Sequence, residues 1–89
     1  MESVTKMMMD HLKEELEDVK EYKEMSVEAE KSGLHRRAKN LEKIAMEEFT
    51  HAKYIRETLI DAGAYVPIEQ GEMEKMWNHA RMVLFHRYS

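Results

Sequence analysis

The sequence predicts an all-α protein: an antiparallel two-helix hairpin plus a shorter third helix, completed into a four-helix bundle by homodimerisation. Three observations predict it. Helix-breaking residues are confined to a few places, with glycine only at 33, 63 and 71 and the lone proline at 67. Apolar residues recur at alternating three- and four-residue intervals along two long stretches. The other faces are dense in Lys and Glu, with 36% of residues charged and a mean hydropathy of -0.72. That leaves little apolar material for two helices to enclose a core alone.

Each element follows from its own residues. The first helix starts near Ser3 or Thr5 and ends at Ser32-Gly33, where glycine suits the left-handed position that closes helices. Its seam is Leu12, Glu15, Val19, Tyr22, Ser26 and Ala29, a bundle stripe with one carboxylate in it. The second helix covers about residues 34–62 and stops at Gly63 and Pro67. Its seam is Leu41, Ile44/Ala45, Glu48, His51/Ala52, Ile55 and Leu59, interrupted by Glu48 and His51. The break between the helices allows only an antiparallel turn, so the hairpin spans about residues 3–62. A third helix over about residues 68–88 carries an apolar stripe of Met73, Met76/Trp77, Ala80 and Val83/Leu84. It is expected to pack on a hairpin or to form a contact between dimers. The whole chain, residues 1–89, reads as one half-bundle domain.

Composition excludes several functions. A net charge of -4 argues against nucleic acid and anionic membranes as partners. No apolar run approaches a membrane span, and the first thirteen residues lack the apolar core of a signal peptide. Zero cysteines exclude disulfides and thiolate metal sites and fit a cytoplasmic location. Nine methionines are read as adaptable packing.

Glu48-x-x-His51 puts a carboxylate and an imidazole three residues apart on one helical face. With a carboxylate from the facing helix, that is half the ligand set of a di-iron carboxylate bundle. Chance can supply one such spacing in a chain this rich in glutamate, so the weight lies in placement. If the turn centres between residues 32 and 33, facing residues have numbers that sum to about 65. Glu15 then lies level with position 50, between Glu48 and His51, roughly 26 Å from the turn at ~1.5 Å per residue. Glu14 and Glu17 lie at the same level, but point roughly 100° and 200° away from Glu15's face. Glutamate is costly in a core unless it is paired or ligating. Glu15, Glu48 and His51 are therefore the candidate metal-binding and catalytic residues. The alternative is a hydrogen-bonded polar layer that fixes register. Because the half-set occurs once, two identical chains would close one dinuclear site.

Imidazole and carboxylate without sulfur suit Fe(II), two per dimer, with Mn, Zn or Co as competitors. Four carboxylates in the dimer would cancel the charge of two Fe²⁺ ions. As an expectation, Fe(II) is oxidised to Fe(III) by dioxygen or peroxide, for iron storage or detoxification.

The run Glu14-Glu15-Leu16-Glu17-Asp18-Val19-Lys20-Glu21-Tyr22, followed by Glu47-Glu48-Phe49-Thr50-His51, resembles the encapsulated ferritin family. These are half-ferritins of the ferritin-like superfamily, whose hairpins dimerise around a di-iron ferroxidase centre and whose dimers join into rings. The resemblance covers about residues 11–60. It implies that Glu15, Glu48 and His51 are the iron ligands, with Glu48 bridging. It also implies that Tyr22 stands beside the centre and that Glu14 and Glu17 are outer carboxylates that capture metal. The chain departs from the family at Glu21, where members often carry an aromatic, and in a slightly longer spacing between the two helices' ligands. It also shows no shell-targeting tail after Tyr88-Ser89, so a protein shell of the encapsulin type, and a place inside a nanocompartment, rest on the resemblance alone. Rubrerythrin-like peroxidases or oxygen sensors share the ligand logic. A metal-free helical-hairpin adaptor would need no chemistry at all.

The remaining polar aromatics have weaker claims. His11, four residues before Glu15, is read as a surface histidine with a place beside the metal site as the alternative. Tyr54 is expected to pack in the seam, with a hydrogen bond near the site as the alternative. His79 and His86 are read as surface residues.

Overall fold

The computed structural model describes residues 2–75, 77 and 78. Two long helices, α1 (Glu2–Lys31) and α2 (His35–Asp61), lie antiparallel. A third, α3, is helical at each described position of residues 70–78. The expected stretch beyond residue 78, with His79 and His86, lies outside the described residues.

Both long helices end on the same device. Gly33 has φ +78° and Gly63 φ +80°. At the first stop the Gly33 and Leu34 amides donate to the Glu30 and Ala29 carbonyls at 3.0 and 2.9 Å. At the second, the Gly63 and Ala64 amides donate to Ile60 and Leu59 at 2.9 and 3.0 Å. Reversing the chain into the left-handed region satisfies carbonyls that the helix end would leave open, and glycine enters that region without strain. α2 begins without a capping side chain. Instead His35 Nδ1 lies 2.6 Å from Glu30 Oε1, a contact across the turn.

The pairing of the helices follows the sum expected from the turn. Ser26 Oγ donates to the Ala38 carbonyl at 2.8 Å. Lys23 Nζ lies 3.7 Å from Glu42, and His51 faces Glu15. Ser26 and Ala38 are both fully buried, and their small side chains let the backbones approach closely near the turn.

The buried stripe is rotated from the one expected. In α1, Leu12, Glu15, Val19 and Ser26 are buried as expected, but Leu16 and Lys23 join them, while Tyr22 and Ala29 are only half-buried. In α2, Ala45, Ala52 and Leu59 are buried as expected, and Ala38 and Phe49 join them. Leu41, Ile44, Glu48 and Ile55 sit at the edge, and His51 is exposed. The cause is α3, which brings Met73 and Trp77 into one cluster with Leu12, Leu16, Val19, Ala45, Phe49, Ala52 and Leu59. Trp77 stacks on Phe49 at 5.3 Å between ring centroids, and Lys23 Nζ lies 3.7 Å from a Trp77 ring centroid. Arg56 Nε donates to the Ile68 carbonyl at 2.7 Å and ties the incoming loop to α2. The hairpin therefore does not present a bare stripe: α3 covers one flank and the chain has a core of its own. Among the described residues nothing lies over the other flank, which holds Glu48, His51 and the half-buried Ile55.

Candidate metal centre

α1 supplies Glu15 and α2 supplies Glu48 and His51, one helical turn apart on the open flank. One ligand atom from each lies within 4.8 Å of the others. His51 Nδ1 is 3.9 Å from Glu15 Oε2. The Glu15 side chain is only 10% exposed, whereas that of His51 is 59% exposed. The group thus has a buried floor and an open mouth.

With both carboxylates ionised, Glu15 Oε2 is buried and has no hydrogen-bond partner. An orphaned buried carboxylate oxygen is expensive, and a second carboxylate beside it makes the arrangement worse. Two ionised carboxylates cannot donate to each other, so either a proton or a cation must stand between them. The Glu48 pKa is raised above its ordinary 4.5 for that reason. The largest cause is a proton shared with the Glu15 carboxyl, followed by burial and by the negative charge of Glu15; His51 and His11 oppose the shift. Two carboxylates and an imidazole, with one carboxylate oxygen unsatisfied, fit a divalent cation such as Fe(II), Mn(II) or Zn(II).

The sign of the pH dependence follows. Folding favours the protonated form of Glu48, so that stability is present below the unfolded-state value and is lost as pH rises through the raised folded value. In the metal-free protein, thermal melting followed against pH is expected to show wild type losing ground to Glu48→Gln across that window. A gap that stays constant with pH would contradict a shared proton. A bound cation replaces the proton, so binding should tighten over the same window.

The other expected residues are placed unevenly. His11 Nε2 lies 3.1 Å from Glu15 Oε1, and its Nδ1 is 3.7 Å from Glu14. His11 and Glu14 are exposed, so His11 is both a surface residue and a neighbour of the site. Tyr22 is half-buried and packs against the core cluster, with no hydrogen bond to a described residue. Glu17 is exposed. Tyr54 is 66% exposed and packs in no seam among the described residues, because the buried face of α2 turns toward Phe49 and away from it. The buried Lys23, set beside Glu42, was not singled out from sequence, although the same pairing sum puts positions 23 and 42 opposite each other. Comparison with known protein families, curated proteins and solved structures finds no match to this chain. Among the described residues no helix is long and apolar enough to cross a membrane.

Proposed function

We propose that this chain binds iron as a ferroxidase-type protein of the ferritin-like kind, oxidising Fe(II) to Fe(III) at a di-iron site shared between two copies. The observation that carries the reading is the convergence of Glu15, Glu48 and His51 around an unsatisfied, buried Glu15 oxygen. A polar layer that only fixed register would leave that oxygen sharing one proton with Glu48, whereas a cation would satisfy it together with Glu48 and His51. A catalytic metal group also needs access for its reactants, and the exposed His51 leaves this one open.

Within a chain, Glu15 and Glu48 would hold the cation from α1 and α2, and His51 would complete it from the solvent side. Iron held there would supply electrons to dioxygen or peroxide. Two carboxylates and one imidazole are half of a dinuclear complement, which supports a two-fold partner. The open flank also carries apolar surface suited to that partner. Val4, Met7, Met8, His11 and Ile55 line a groove beside the site, with Met7 69% exposed.

Anaerobic Fe(II) titration followed by air, read by near-ultraviolet absorbance and by mass, tests the reading. The expected result is a tight phase that ends at one iron per chain, fast oxidation, and a dimer at saturation. A protein that binds no iron, or that remains a monomer with and without it, would overturn the shared site.

A further inference from the structure

The two oxygens of Glu15 do not face the same group. Oε2 looks toward Glu48 and His51, whereas Oε1 is 3.1 Å from His11 Nε2, one turn back on α1. Glu14 Oε2 is 3.7 Å from the other ring nitrogen, Nδ1, which is beyond hydrogen-bond distance. The ring proton therefore lies between Nε2 and Glu15 Oε1. A neutral ring protonated at Nε2 and an imidazolium both donate there, so the contact holds in either charge state of His11. The last torsion of a glutamate is soft, and covalent geometry does not decide whether one oxygen or both turn to an ion. A donor fixed at Oε1 decides it.

We infer that His11 is a positioning residue that sets the metal preference of the inner group: by holding Oε1 it leaves Glu15 a single oxygen, Oε2, for the cation. The inference rests on the inner Glu15–Glu48–His51 reading and adds selectivity to it. Zn(II) takes few donors and accepts one carboxylate oxygen, at about 2.0–2.2 Å, beside an imidazole; imidazole suits Fe(II) as well. Ca(II) takes about six to eight oxygens at about 2.3–2.6 Å and gains from carboxylates that chelate through both. A Glu15 free to turn would offer the second oxygen, and the His11 contact withholds it. The site thus favours a small transition cation over Ca(II) through a residue that touches no metal. With 57% side-chain exposure, His11 acts on the direction of Glu15 and contributes little to packing.

Separate titrations of the full chain with Zn(II) and with Ca(II), on wild type, His11→Ala, His11→Gln and His51→Ala, test this. Wild type is expected to bind Zn(II) tightly and Ca(II) far more weakly. His11→Ala should weaken Zn(II) binding by about 10–100-fold and leave Ca(II) binding equal or tighter, so the preference narrows. A site that had merely loosened would lose both. His11→Gln, whose amide donates in place of the ring, should recover most of the Zn(II) affinity. In the metal-free protein, ring-nitrogen NMR of His11, assigned by its loss in His11→Ala, should show Nε2 carrying a proton. Zn(II) affinity unchanged in His11→Ala, both ions weakened by the same factor, or a ring protonated at Nδ1 alone overturns the role of His11 and leaves the inner group standing. A wild type that binds no Zn(II), or Zn(II) binding that survives His51→Ala, overturns the inner reading and the role of His11 with it.

Discussion

Replacing His51 by alanine is expected to weaken Fe(II) binding at the inner position by more than ~100-fold and to abolish rapid oxidation. Loss of a residue that merely supports a metal ligand costs about 10–100-fold, and a direct ligand should cost at least the upper end of that range. His51 is the only nitrogen donor in the inner group, and its 59% side-chain exposure means little packing is lost with it. Melting of the metal-free variant should therefore stay close to wild type. Glu48→Gln separates the roles further. It keeps the shape of the side chain and removes the charge that faces Glu15, so the metal-free protein should gain stability at neutral pH while iron binding falls. Binding is read by anaerobic titration and stability by thermal melting of the same samples. Iron uptake that survives both substitutions would remove the metal reading altogether.

Trp77→Ala should have the largest effect on folding, about 3–5 kcal/mol. The ring is 7% exposed, stacks on Phe49 at 5.3 Å and lies under Lys23 Nζ. Its removal would take from α3 a buried contact with the hairpin and open a cavity beside Leu16 and Phe49. A chain of this size has roughly 5–13 kcal/mol in total, so the loss is a large share of it. Urea unfolding at a fixed chain concentration measures it, since dimerisation would make the midpoint depend on concentration. Trp77→Phe keeps an aromatic against Phe49 and should recover most of the loss. A Trp77→Ala change below about 1 kcal/mol would mean that α3 does not close the hairpin core.

The hairpin and the level at which Glu15, Glu48 and His51 meet were legible because both depend on local rules. Gly33 marks the stop, helical rise sets the level of each residue, and Glu15 and His51 meet as the pairing sum requires. The rotation of the stripe was not legible. Phe49 and Leu16 look like neighbours of the seam in sequence, and they become its centre only because Trp77 arrives from a separate helix. The same rotation exposes Tyr54 and leaves His51 at the rim. His11 shows the mixture most clearly. Its spacing of four residues from Glu15 is a sequence fact, while the division of the Glu15 oxygens between His11 and His51 is a matter of side-chain direction.

By itself the sequence determined an all-helical chain, the place of its turn, and which carboxylates and imidazole stand level on the two long helices. These follow from backbone rules: glycine at a left-handed position and a constant rise per residue. Only the tertiary structure decided which flank α3 covers, because that depends on where it lays Met73 and Trp77 against the hairpin. Burial on the covered flank gives the chain its core. The open flank keeps the Glu15 carboxylate at the bottom of a mouth rimmed by His11 and His51.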